Sequence, residues 1–194
     1  MASCKPLTTG RGLACPANGG VKAFYTLDSD VEFTIDAATR VVTDFDTGGS
    51  ASTVFKWDIR SASNVIQTLT TVAANRAGAE VSQVFTGILH RLDYATNNEL
   101  LLIAYSQCRI IAHLYNGDAI LLGREFGCNL DSAAADSGSG ITEFNGYTLT
   151  VSALEMEYAN YLEGSTIDDP FAGMTTTPVI STPNDAPAAS PVTV

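Results

Sequence analysis

The chain has 194 residues, which suits one domain with appendages and a core that needs no disulfide staples. Its formal charge of -11, with acids scattered and only 16% of residues charged, argues against a protein that grips nucleic-acid phosphates or an anionic membrane surface. No apolar run approaches a membrane span, and the opening residues MASCKP lack an apolar signal core, so cytosolic synthesis without membrane anchoring is expected.

Residues 1–20 are rich in Gly, Pro and Cys without periodicity and read as an irregular arm. Residues 23–27 (AFYTL) and 31–35 (VEFTI) flank Asp28-Ser29-Asp30 and predict a strand pair across a turn. Residues 40–45 suggest another short strand before Gly48-Gly49-Ser50 breaks the chain. Residues 54–60 alternate most cleanly: Phe55, Trp57 and Ile59 face one way, expected to be core, and Lys56, Asp58 and Arg60 the other.

A long hairpin follows, with arms 64–72 and 81–92 rich in β-branched residues. In the second arm Val81, Phe85 and Leu89 share one face and Ser82, Thr86 and His90 the other, but Val84, Ile88 and Leu92 join the polar face. Such a strand wants cover on both faces: a second sheet on one, and a neighbouring subunit or more of its own chain on the other.

Thr96-Asn97-Asn98-Glu99 matches a capping box and predicts a helix starting between Asp93 and Asn97 and ending near Gln107, with Leu100, Ile103 and Ala104 on its buried face. Asn116-Gly117 between residues 110–115 and 119–122 is a strong hairpin signal. Residues 131–140 (DSAAADSGSG) read as a flexible loop, and Asn145-Gly146 opens a last alternating strand through Tyr147, Leu149 and Val151. Five of the seven prolines fall in 170–191, so 164–194 reads as an extended arm that needs a surface to hold it. The fold class is therefore mainly β: a β-sandwich or barrel over 21–163 with one main α-helix and a long β-hairpin.

Little here carries chemistry. None of the G-x-S-x-G, H-E-x-x-H, P-loop or G-x-G-x-x-G motifs occurs, and the expected catalytic, cofactor and metal sites are none. Cys108 and His113 lie five apart on one predicted strand and face opposite sides. Asp28, Asp30 and Glu32 alternate as calcium ligands can, but the glycine and later bidentate acid of an EF-hand are missing. Glu155 and Glu157 read as a solvated edge. Cys4, Cys15, Cys108 and Cys128 form no zinc-type pair and are expected as free thiols in the cytosol, although Cys108 and Cys128 flank a predicted hairpin and could approach each other.

The stretch AILLGREFG at 119–127, followed by NGYTLTVSALE at 145–155, resembles structural proteins encoded by tailed phages and prophages of Bacteroidetes bacteria. The element order over 54–157 is similar to that of tail tube proteins, which form stacked, usually hexameric rings around a DNA channel. That resemblance implies a virion protein without catalysis, whose partners are copies of itself, other virion tail proteins and genome DNA that passes without sequence-specific binding. It implies subunit contacts through Val65, Gln67, Leu69, Thr71, Val81, Gln83, Phe85 and Ile88. It implies a channel lined by Lys56, Asp58, Arg60, Thr68, Thr70, Ser82, Thr86 and His90, with acidic charge keeping phosphate off the wall. The 170–194 segment would run along an adjacent subunit. A head–tail junction ring, a capsid decoration protein and a β-sandwich adhesin are the alternative roles.

Overall fold

The computed structural model describes residues 18–46, 52–59, 63–71 and 79–181. The chain is mainly β. Its strands are β1 (Val21–Leu27), β2 (Glu32–Ile35), β3 (Val42–Asp46), β4 (Thr53–Asp58), β5 (Asn64–Thr71) and β6 (Ala79–His90). After the helix α1 (Tyr94–Tyr105) come β7 (Arg109–Leu114), β8 (Ala119–Leu122), β9 (Asn129–Asp136), β10 (Gly146–Glu155), β11 (Asn160–Tyr161) and β12 (Val179–Ser181). A six-stranded sheet runs in the order β11-β8-β7-β1-β4-β12, a four-stranded sheet in the order β5-β6-β10-β9, and β2 and β3 form a separate ribbon.

The six-stranded sheet is the middle layer, because its central strands are apolar on both faces. Phe24, Ile110, Ala112, Ile120 and Leu122 point into one core, and Ala23, Tyr25, Leu27, Ile111, Ala119 and Leu121 into another. Near-continuous apolar runs such as Ile110-Ile111-Ala112 describe a strand covered on both sides. The four-stranded sheet and α1 close the first core with Phe85, Leu89, Leu100, Ile103, Tyr147 and Leu149. There Phe24 stacks on Trp57 at 5.6 Å and tilts onto Phe85 at 4.9 Å. Phe55 shares the Trp57 side of β4 yet stays 40% exposed, beyond the reach of that core.

The second core is closed by the β2–β3 ribbon and by residues 162–174. Phe171 meets Tyr25 and Phe45 edge-on at 5.1 and 5.9 Å, and Leu162 and Met174 are buried beside it. Two expectations change here. β1 does not pair with β2; it lies between β4 and β7, and β2 folds away to pair with β3. The segment from 164 is no free arm: through 181 it packs on its own chain and ends as β12, parallel to β4. The aromatic ring of Phe171 explains the difference, since one buried aromatic anchors a strap whose other residues have little to bury. Residues 182–194 lie outside the described residues.

The helix starts at Tyr94, with Asp93 as its N-cap, but no side chain of its own caps it. Thr96 is the third helical residue, so the predicted capping box does not form. A tyrosine from the sheet takes its place: the Tyr147 hydroxyl accepts the Asp93 N–H at 3.1 Å and lies 2.9 Å from the Asp93 carbonyl and 2.8 Å from Asn97 Oδ1. Leu100 and Ile103 are buried as expected, whereas Ala104 is exposed.

Candidate assembly surface

The four-stranded sheet has one covered face and one open face. Val81, Gln83, Phe85 and Leu89 of β6 and Tyr147, Leu149, Val151, Ala153 and Glu155 of β10 point inward and are buried. The alternate residues form rows across the open face. Thr68, Ser82 and Leu154 lie opposite one another, as do Asn64, Thr86, Thr150 and Ser132 in the next-but-one row. Ile66, Val84 and Ser152 lie between them, and Ile88, Thr148 and Ala134 beyond. These middle rows carry hydroxyls together with aliphatic side chains, Ile66 and Leu154 among them exposed; Glu80, His90 and Asp136 stand at the ends of their strands, and the exposed Asp131 sits at the β9 bulge. Further acids, Asp28, Asp30, Glu32, Asp36 and Asp44 among them, lie on β2, β3 and the loops beside them. The open face thus mixes hydroxyls with aliphatic side chains and carries few charges.

The edges of the two large sheets differ in kind. The six-stranded sheet ends in β11, two residues long, and β12, three residues long. Very short edge strands blunt a sheet against further pairing. The four-stranded sheet ends in β5 and β9, each eight residues long and each hydrogen-bonded on one side only among the described residues. β9 carries the sequence NLDSAAAD, of which 131–136 fall in the stretch 131–140 expected as a loop, because Ala, Ser and Asp are poor strand formers. Pairing with β10 along its length overrides that preference.

The covered side of this sheet is tied to the middle layer by polar groups that the sequence does not announce. The turn 123–127 begins and ends on glycines with φ of 67° and 74°, a left-handed backbone that glycine adopts without strain. The carboxylate of Glu155 accepts the N–H groups of Glu125 and Phe126 at 3.0 and 3.1 Å. Gln83 accepts the Gly123 N–H at 3.1 Å and donates to the Glu157 carbonyl at 3.1 Å. Glu155 is therefore a buried structural acceptor and not part of a solvated edge, while Glu157 is exposed and pairs with Arg40. His113, also buried, lies 2.8 Å from the Thr166 carbonyl and fastens the strap; burial holds its pKa below the usual histidine value.

The implied subunit-contact residues divide. Val81, Gln83 and Phe85 are buried in their own chain, Val65 packs on the first core, and Gln67 accepts the Ala159 N–H at 2.9 Å. Their side chains are committed to this fold, which leaves the backbone edge of β5, the exposed Leu69 and the half-exposed Ile88. Thr71 is the last residue of β5. The implied channel residues divide too. Thr68, Thr70, Ser82, Thr86 and His90 share the open face. Lys56 and Asp58, ion-paired at 2.9 Å, belong to β4 in the other sheet, on the side away from the four-stranded sheet, and so cannot line the same wall. Arg60 lies outside the described residues.

The Asp28–Glu32 region does not gather into a cation site. Arg109 fills it, donating to the carbonyls of Ser29 and, at 3.0 Å, Val31, with its guanidinium 5.1 Å from the Phe33 ring centroid. Among the described residues no group of three or more His, Cys, Asp or Glu is placed to hold a metal, and no helix is long and apolar enough to cross a membrane. Cys108 and His113 point into opposite cores, as their spacing predicts. No protein-family model, curated protein or solved structure matches this chain.

Proposed function

We propose that this chain is a ring-forming virion structural protein, a tail tube subunit that conducts DNA and has no catalytic role. The observation that carries the reading is the contrast between blunted edges on the middle sheet and two long edges left unpaired, among the described residues, on the four-stranded sheet. Neighbouring strands in that sheet are all antiparallel and there are four of them, so β9 of one copy meets β5 of the next in antiparallel sense. The two edges belong to different surfaces of the subunit, and such head-to-tail contacts close into rings. Closure removes both edges. Six copies would bring together about 24 strands; at roughly 4.8 Å per strand and a tilt of about 40°, the wall is about 48 Å across. That bore leaves room for a DNA duplex inside the side chains.

The open Ser/Thr face would line the bore. A wall of hydroxyls and aliphatic groups with few charges offers phosphate no cation to grip, so DNA would slide with little dependence on salt. Ala134, exposed on β9, tests the edge. Negative-stain images of the purified chain should show stacked annuli with a central bore, and Ala134→Lys should yield folded monomers, since an edge lysine blocks strand addition. Solid particles without a bore would replace the tube with a decoration role, and annuli that survive Ala134→Lys unchanged would overturn the β9–β5 edge contact.

A further inference from the structure

We infer that Cys108 and Cys128 are a disulfide-forming pair that staples the corner where the two large sheets meet. Cys108 immediately precedes β7 of the six-stranded sheet, and Cys128 immediately precedes β9 of the four-stranded sheet. The two stand directly opposite in an isolated antiparallel bridge, with the Cys128 N–H donating to the Cys108 carbonyl at 2.7 Å. Directly opposed antiparallel residues hold their Cα atoms about 4.5–5.5 Å apart, inside the roughly 4.4–6.8 Å that a disulfide spans. Both are free thiols here and both are buried.

The turn between β8 and β9 is shaped around this approach. Its left-handed glycines return the chain, and Gly127 donates back to the Gly123 carbonyl at 3.1 Å. A Cβ on Gly123 would come within 2.5 Å of Cys128 Sγ, so glycine there is what gives the sulfur its space. Glu155 holds the same turn from β10. Burial also sets the kinetics. It pushes the Cys108 thiol up to about 11 and raises Cys128 as well, with the neighbouring thiol adding to the effect. Only the thiolate attacks a disulfide, so the native corner reacts slowly, and the bond once made is equally shielded from reductant.

The chemistry requires a small disulfide such as oxidised glutathione. One cysteine, having lost its proton, attacks it to give a mixed disulfide and releases one glutathione thiolate. The second cysteine, also deprotonated, displaces the other glutathione. One protein S–S bond forms, one glutathione S–S bond is reduced, and the two protons end on two glutathione thiols. The pair depends only on the chain's own fold. Its timing rests on the tube reading: open in the reducing host cytosol, closed after the virion leaves it.

The test uses the full chain at pH 8 with excess oxidised glutathione in urea below the unfolding transition, then alkylation, intact mass and peptide mapping. We expect a loss of about 2 Da, a peptide linking Cys108 to Cys128, and a Tm higher by roughly 6–12 °C that dithiothreitol reverses when added in the same urea. Cys4→Ser/Cys15→Ser keeps the intended pair and should keep all three signals; Cys108→Ser should abolish them. Free, alkylated Cys108 and Cys128 after this treatment, or a link to Cys4 or Cys15 in their place, overturns the proposal. Ring formation is read separately by microscopy, so the pair and the tube stand or fall on different measurements.

Discussion

Replacing Tyr147 by Phe removes one oxygen and leaves the ring in place, so it isolates the device that starts the helix. The side chain is buried, and its hydroxyl meets the Asp93 N–H, the Asp93 carbonyl and Asn97 Oδ1, all at 2.8–3.1 Å. A phenol has one hydrogen, so it accepts from Asp93 and donates to one of the two oxygens. Each such bond is worth about 1 kcal/mol net, and half-buried Asp93 regains only part of it from water, so Tyr147→Phe should cost about 1–2 kcal/mol. Thr96→Ala is the natural comparison. A capping box would make it cost about 1 kcal/mol. At the third helical position without a cap bond it should be neutral or stabilising by up to about 0.6 kcal/mol, because alanine is the better helix former. Urea unfolding followed by circular dichroism, in an Ala134→Lys background to keep association out of the measurement, gives both values. A Tyr147→Phe cost below about 0.3 kcal/mol, or a larger cost for Thr96→Ala, refutes the tyrosine cap.

Glu155→Ala strips a charged acceptor from two backbone N–H groups and should cost about 2–4 kcal/mol, read by the same urea curves. Gly123→Ala forces a Cβ into a left-handed backbone, 2.5 Å from Cys128 Sγ and 2.7 Å from the Gly127 carbonyl carbon; about 2–4 kcal/mol should be lost, and a wild-type melting curve would disprove the close packing. His113 titrates lower in the folded chain than in the unfolded one because burial disfavours its charge. The unfolded state therefore binds the extra proton first, and stability should fall as pH drops below about 6.5. His113→Gln should flatten that part of the Tm-against-pH curve; an unchanged slope would assign it to other groups.

How far the sequence carries the fold depends on whether local pattern or distant pairing decides each element. β6 and β10 are legible because one face is buried and alternation survives: Val81, Phe85, Leu89 and Tyr147, Leu149, Val151 all point inward. The Asn116-Gly117 hairpin is legible because its turn chemistry is local. β9 is not, since nothing in NLDSAAAD prefers a strand and only the β10 ladder makes it one. β2 reads as a strand but not with its true partner, because the turn at 28–30 is as compatible with a strand leaving the sheet as with a hairpin. The polar ties of Gln83, Glu155 and His113 leave no signature in a single sequence: a buried acceptor looks like any other acid until the turn it holds is in place.

The same reasoning explains why the unpredicted strand matters most for the proposed role. A strand rich in Val and Ile at the sheet edge pairs readily by preference but would also aggregate with any other edge it met. An Ala/Ser/Asp strand pairs weakly by preference and needs a defined ladder on its inner side, which β10 supplies along its length. Its outer side then offers hydrogen bonds with little side-chain adhesion, so a lone contact is weak and a closed ring, in which every edge is paired at once, gains most. On the opposite edge β5 is a stronger strand former, with Thr68, Thr70 and the exposed Ile66 on the open face and Leu69 also exposed. The middle sheet has the reverse arrangement: strong apolar strands inside and two- and three-residue strands at its rims. In the proposed ring the weak Ala/Ser/Asp edge of β9 would meet the stronger, β-branched edge of β5, so that one adhesive edge is not matched by another on the same subunit.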